Sequence, residues 1–296
     1  MEFTHVITDP FIEQITQHWH AFLIAALVGM MTGFLALKNN FFNWGAQPIK
    51  FTFIRGKDVL KAFICFIVFS ILLPSIASVF FSFFIGGAKE VAWANSSVQG
   101  WMNVLTVLGG AIGVALVFFM LPSYERHAMW GSFRFGYKNF CLGCLTWFIS
   151  YPVVMALSQL IAIFTLFFFQ QTPIDQEAVK YFRSIMYDPI LIWVTAFLVI
   201  GVVPVTEELL FRGFLQNWLK AKMKSPKKAI FLTSLVFAFF HFSISQGITN
   251  IELIAALFVL SCFLGFLYER QQSLLASIGL HVTFNALTIL MILFEK

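Results

Sequence analysis

Six residues in the last third of the chain have the types that hydrolytic chemistry needs: Glu207, Glu208, Arg212, His241, His281 and Asn285. Each interrupts a run otherwise built from Leu, Phe, Val, Ile and Ala. A carboxylate and an imidazole can share the activation of a water, and a second imidazole with a side-chain amide can donate hydrogen bonds to the oxyanion of a tetrahedral intermediate. Such a set fits acyl-transfer hydrolysis by an activated water. Glu208 and Arg212 are four apart on one helix face, the spacing of an intrahelical ion pair, whereas Glu207 is rotated by about 100° and points elsewhere. Arg212 is therefore expected to neutralise Glu208 and leave Glu207 for chemistry. His281 and Asn285 are also four apart, so both can face one point in space. Phe237, one turn before His241, either walls the site or simply packs.

Competing nucleophile designs are missing, since the chain contains no G-x-S-x-G elbow and no H-E-x-x-H. Zinc held by the two His and a Glu is allowed by ligand type. The ligands would come singly from three helices, however, and Asn285 is a better hydrogen-bond donor than ligand. The expectation is thus a site without cofactor, with zinc as the less favoured alternative.

Those residues must be carried by membrane-spanning helices. Hydrophobic residues make up 59% of the 296-residue chain and charged residues 11%, and the mean hydropathy is +0.85, too little polar surface for a soluble globule. A helix needs roughly 20 apolar residues to cross about 30 Å of hydrocarbon. Eight stretches qualify: 19–37, 60–84, 101–121, 140–169, 189–219, 229–242, 251–268 and 273–294. The fold class is therefore all-α, a polytopic membrane bundle of about eight helices. Basic residues cluster after the first span (Lys38, Lys50, Arg55, Lys57, Lys61), the third (Arg126, Arg134, Lys138) and the fifth (Lys220, Lys222, Lys224, Lys227, Lys228). The intervening segments, with Glu2, Asp9, Glu13, Asp175, Glu177 and Asp188, carry little positive excess. By the positive-inside rule both termini lie outside.

Depth groups the polar residues. Counting inward from Lys220, Lys228 and Arg270, Glu207, His241 and His281 lie 13, 13 and 11 residues deep, roughly 16–20 Å at about 1.5 Å per residue. Each charge at mid-bilayer costs about 2.5–3.5 kcal/mol, so three oppose insertion by about 8–10 kcal/mol before pairing, comparable to the whole stability of a domain, about 5–15 kcal/mol. The first four spans are nearly free of ionisable residues and rich in the chain's 39 Phe, as expected of scaffold. This divides the chain into an N-terminal four-span region, 1–188, and a core, 189–296.

Other classes are disfavoured. The acidic residues before Trp19 do not make the basic start of a cleavable signal peptide. A net charge of +5 resides in loops beside spans, without an aromatic-basic nucleic-acid motif, and fits topology and anionic headgroups better. Cys65, Cys141, Cys144 and Cys262 all fall in apolar spans and read as idle; the C-x-x-C pair at 141–144 has no second pair or nearby His to complete a site.

The motifs carry a resemblance. Val205-Thr206-Glu207-Glu208-Leu209-Leu210-Phe211-Arg212-Gly213 resembles the E-E-x-x-x-R motif of the CAAX protease and bacteriocin-processing family, also called Abi. Phe237–His241 is similar to its F-x-x-x-H, His281–Asn285 to its H-x-x-x-N, and Phe263–Tyr268 with Ser273–Leu275 to its Gly-containing helix and the following turn. The four occur in order over about 100 residues from near Pro189, and say nothing about the first four spans. The resemblance implies an intramembrane endopeptidase in which Glu207 is the base on the attacking water, assisted by His241. It also implies that His281 and Asn285 stabilise the oxyanion and that Glu208 and Arg212 support the site. Ser277 departs from the family, many members of which have Pro there. The implied partners are a membrane-associated peptide or protein and the lipid bilayer, with no nucleic acid, in the bacterial cytoplasmic membrane. Two alternatives remain: a non-catalytic adaptor or immunity protein of the same fold, and a proton-coupled transporter, which would normally show inverted repeats and polar residues in both halves.

Overall fold

The computed structural model describes residues 10–44, 54–85, 96–131, 135–171 and 177–294. Glu2, Asp9, Lys50, Arg134 and Asp175, used above to assign loops, lie outside those residues. Among the described residues there are helices and no strand. The long helices are α1 (Pro10–Lys38), α2 (Gly56–Ile85), α3 (Ser96–Met120), α5 (Gly136–Phe169), α7 (Pro189–Met223), α9 (Thr249–Gln271) and α10 (Leu274–Phe294). All seven are long and apolar enough to cross a membrane. Short helices α4 (Ser123–Trp130) and α6 (Glu177–Ser184) lie between them, and α8 (Pro226–Phe240) occupies the remaining expected span.

With 15 residues, α8 is about 22 Å long and falls short of a full crossing by itself. The pairing of its neighbours shows that the chain nevertheless climbs back along its path. Arg212 reaches Ser261, Gln216 reaches the Gly265 carbonyl, and Lys220 reaches Glu269, each pair separated by 49 residues. A constant offset means that α7 and α9 run parallel, in register. Thr249 starts α9 and stands 20 residues before Glu269, so the chain must rise about 30 Å between Lys220 and Thr249. Helix α8 supplies most of that rise, and residues 241–248, including a single 3₁₀ turn at Ile244–Gln246, supply the rest.

Packing between the spans relies on glycine where backbones touch, as expected where lipid tails remove the usual hydrophobic drive and close van der Waals contact remains. A Cβ on Gly109 or Gly113 of α3 would run into the Phe69 or Cys65 carbonyl of α2, and one on Gly143 or Gly279 would run into the facing backbone between α5 and α10. Helix α10 is thereby seated on the N-terminal half of the chain two residues before His281. The largest cluster of buried apolar residues surrounds the middle of α7 and includes Leu210, Phe211, Phe214, Phe237, Tyr268 and Ile278.

Helix α7 starts at an Asp188 N-cap, whose carboxylate accepts the Leu191 N–H at 3.0 Å, followed by Pro189 in the first turn. That bond holds the Asp188 carboxyl below its ordinary range. Helix α7 then departs twice from α geometry, at the π segments Leu198–Val202 and Leu209–Gln216.

The parallel register requires Lys224 and Gly247 to lie on opposite membrane faces. Accessibility labelling of single cysteines at the two positions should give opposite results; labelling from the same side would overturn the register.

Candidate active site

Three of the sequence-predicted residues meet at one place. Glu207 Oε1 stands 3.8 Å from His241 Nε2, and Glu207 Oε2 stands 3.7 Å from His281 Nε2. These gaps are too long for direct hydrogen bonds and suit a small bridging group such as water. The Glu207 side chain is 18% exposed and His241 31%, whereas His281 is 6% exposed. The accessible edge of the cluster is therefore formed by Glu207 and His241.

Each imidazole is fixed through its other nitrogen. His241 is the C-cap residue of α8, and its Nδ1 lies 2.9 Å from the Phe237 carbonyl, one turn back. A carbonyl only accepts, so Nδ1 carries the proton and Nε2 is turned to Glu207. The chain beyond His241 is tied down by Asn250, which accepts from Ser243 N–H at 3.1 Å and donates to the Ser243 carbonyl at 2.7 Å. His281 Nδ1 lies 2.9 Å from Glu208 Oε1. Glu208 Oε1 also accepts from Arg212 Nη1 at 2.9 Å, and both of those side chains are fully buried.

Glu207 and Glu208 thus differ entirely in setting. The former opens to the site, and the latter is sealed between a guanidinium and an imidazole. Arg212 Nη2 continues the chain to Ser261, donating to its Oγ at 2.7 Å and its carbonyl at 3.1 Å. Its guanidinium also lies 4.9 Å from the centroid of the Phe237 ring, a favourable cation–π contact. The other face of that environment is histidine: Phe237 lies 4.8 Å from His241 and 6.2 Å from His281. Phe237 both packs and walls the site.

Asn285 spends one amide N–H on the backbone of α7. Its Nδ2 donates to the Val199 carbonyl at 2.8 Å rather than to the Glu207 cluster. The first π segment explains this. The Val203 N–H bonds to the Leu198 carbonyl, and the next residue, Pro204, has no N–H to offer. Val199 is left without its helical donor, and Asn285 on α10 supplies one. Asn217 plays the corresponding part at the second π segment, with Nδ2 at 2.9 Å from the Gly213 carbonyl and 3.2 Å from that of Arg212. π segments inside α-helices are frequent at functional sites, and here they flank the Glu207-Glu208 pair.

Below the cluster, spacing within single spans did not reveal a second polar layer. Gln216 donates to the Gly265 carbonyl at 3.2 Å and to Glu269 at 3.0 Å, Lys220 pairs with Glu269 at 3.1 Å, and Asn217 meets the Tyr268 hydroxyl at 2.6 Å. A Cβ at Gly265 would come within 2.8 Å of Gln216 Oε1, so a larger residue there would displace the Gln216 amide. The signal was present as two matching four-residue ladders, Arg212/Gln216/Lys220 and Ser261/Gly265/Glu269, legible only when the two spans are set side by side.

The cysteines take no part: all four are free, and Cys144 only approaches the Gly279 carbonyl, at 3.5 Å. Ser277, where the family pattern often has Pro, lies inside α10 and donates to the Leu274 carbonyl at 3.0 Å. Among the described residues no group of three or more His, Cys, Asp or Glu converges closely enough to hold a metal ion.

Residues 189–287 match the model of the family described as Type II CAAX prenyl endopeptidase Rce1-like. The match covers the segment in which the four motifs occur and in which Glu207, His241 and His281 converge. No curated protein and no solved structure matches the chain. The chain is an integral membrane protein whose residues 189–287 are similar to that family.

Removing one member of a buried ion pair strands the other, at a cost of about 3–5 kcal/mol. Arg212→Ala should sharply lower the yield of folded protein, and adding Glu208→Gln should recover part of it. Additive losses in the double variant would contradict the coupling.

Proposed function

We propose that the chain is an intramembrane endopeptidase that hydrolyses a peptide bond by a water activated on Glu207. The observation carrying this reading is that an accessible carboxylate faces two imidazole Nε2 atoms at 3.7–3.8 Å, within a region matching a membrane endopeptidase family. Water held against Glu207 loses a proton to the carboxylate as its oxygen attacks the carbonyl carbon. Glu207 then delivers that proton to the leaving amine as the C–N bond breaks. General-base assistance of this kind contributes about 10²–10⁴-fold.

The neighbours divide the remaining work. His241, with Nδ1–H committed to the Phe237 carbonyl, offers Nε2 as an acceptor that positions the water. His281 can donate to the oxyanion through Nε2 when both ring nitrogens carry protons, and in that form Nδ1–H bonds to Glu208. Asn285 retains one amide N–H beyond the one spent on Val199 and is the second oxyanion donor. Glu208 and Arg212 position His281 and do not touch the substrate. The substrate is a membrane-associated peptide or protein. The chain is oriented with both termini outside in the cytoplasmic membrane of a bacterium, which places the Lys220–Lys228 turn in the cytoplasm.

A second reading rests on one feature: both imidazoles anchor Nδ1 on an acceptor and aim Nε2 at Glu207, the arrangement that also orients zinc ligands. Chelation separates the two.

Glu207→Gln preserves shape and removes the base. It should insert and fold normally yet cleave at least about 100-fold more slowly, measured as substrate loss by membrane proteomics or in reconstituted vesicles. Asn285→Ala and His281→Ala should each lose about 10²–10³-fold, the scale of one oxyanion donor. Full cellular function of Glu207→Gln would favour an adaptor. Loss of activity to a chelator, restored by zinc, would favour the metal reading.

A further inference from the structure

Away from the active site, the turn joining α7 to α8 holds a cavity of about 310 Å³ lined by Met223, Lys227, Lys228, Phe231 and Leu232. Its floor is apolar. Phe231 is 54% exposed and meets Phe258 of α9 edge-on at 5.5 Å, so the ring is held in place while one side stays open. Around the slot, Lys222, Lys224, Lys227 and Lys228 are all exposed, and among the described residues none of them is paired with a carboxylate. Lys220, in the same run, is different: it is buried and bonded to Glu269 at 3.1 Å. One lysine of the run thus holds the fold, and four present free charge beside an apolar slot at the end of a span.

This pairing of surfaces selects its ligand. A soluble anion gains nothing from Met223, Phe231 and Leu232, and a zwitterionic lipid gains little from four unpaired ammonium groups. We infer that the slot binds an anionic phospholipid, with its phosphate among Lys227, Lys228 and the neighbouring lysines and the start of an acyl chain against Met223, Phe231 and Leu232. Basic groups at a span's edge attract anionic headgroups, and lysine stems lie readily along apolar surface while the charge stays in the headgroup layer. A lipid so placed contacts both the helix carrying Glu207 and the helix ending at His241, and bridges them at their common turn.

The test uses the full-length protein in mixed micelles, with native mass spectrometry reading retained lipid on folded protein. Phosphatidylglycerol should be retained in preference to phosphatidylcholine. Lys227→Gln with Lys228→Gln should weaken its retention by at least about tenfold, and Phe231→Ser should weaken it independently. Lys57→Gln with Lys61→Gln removes two exposed lysines from the start of α2 without touching this cavity, and should leave retention unchanged. Equal retention of the two lipids, or equal losses from the two lysine pairs, would overturn the site in favour of diffuse attraction. Displacement of the lipid by glycerol 3-phosphate at comparable concentration would overturn the lipid in favour of a soluble phosphate.

Discussion

Everything near the site depends on one buried ion pair. Glu208 and Arg212 are both sealed from solvent, four residues apart on one helix, in a chain whose surroundings are hydrocarbon. Two charges placed there are tolerated only where hydrogen bonds replace much of the lost hydration. Here Glu208 Oε1 and both Arg212 Nη atoms are bonded, while among the described residues Glu208 Oε2 and Arg212 Nε stay buried without a partner. That demand reaches outward: Arg212 needs Ser261 on α9, and Glu208 needs His281 on α10. The pair therefore fastens three helices together, and it does so at the level where Glu207 opens to the site. A residue that could not be a nucleophile or base in this setting fixes the orientation of one that could take part in catalysis.

The backbone adapts to the same demand. A plain α-helix from Pro189 to Met223 would leave one interior carbonyl, that of Ile200, without a donor, because Pro204 has no N–H. The two π segments put such carbonyls where Asn285 and Asn217 fill them, from α10 and from α7 itself. In hydrocarbon an unmet carbonyl costs several kcal/mol, so these amides are structurally obligatory. Asn285 consequently has two duties, one N–H for the backbone of α7 and one turned to chemistry in the proposed mechanism. Glycine completes the assembly from the other side, because Gly279 lets α10 lie against α5 and brings His281 to the depth of Glu207.

The contrast between adjacent glutamates gives the site its chemical direction. Glu208 is committed to holding Arg212 and His281, whereas Glu207 meets its imidazoles only at 3.7–3.8 Å and keeps part of its surface open. A carboxylate with space for a water on its open side suits the proposed water-activated hydrolysis; a carboxylate locked in an ion pair does not. Phe237 lies between the two regimes, with the Arg212 guanidinium over its ring and both histidine rings in contact with it.

Much of this was legible in the sequence because bilayer physics is severe. Seven of the eight long apolar runs in a chain that is 59% hydrophobic form helices long enough to span, and the i, i+4 spacing of Glu208 and Arg212 fixes their pairing before any neighbour is known. Counting inward from basic helix ends also placed Glu207, His241 and His281 at one depth, since the rise per residue of a helix is constant. Tertiary structure alone decided the rest. The π segments reflect a hydrogen-bond register that residue type does not encode, so Asn285 could be placed on the His281 face but not on Val199. The bond from His281 to Glu208, and the ladder from Gln216 and Lys220 to Gly265 and Glu269, join residues more than forty positions apart. The ladder follows from α7 and α9 lying parallel and the His281 bond from α10 packing beside α7, and both alignments are set by packing between helices rather than by periodicity within any one.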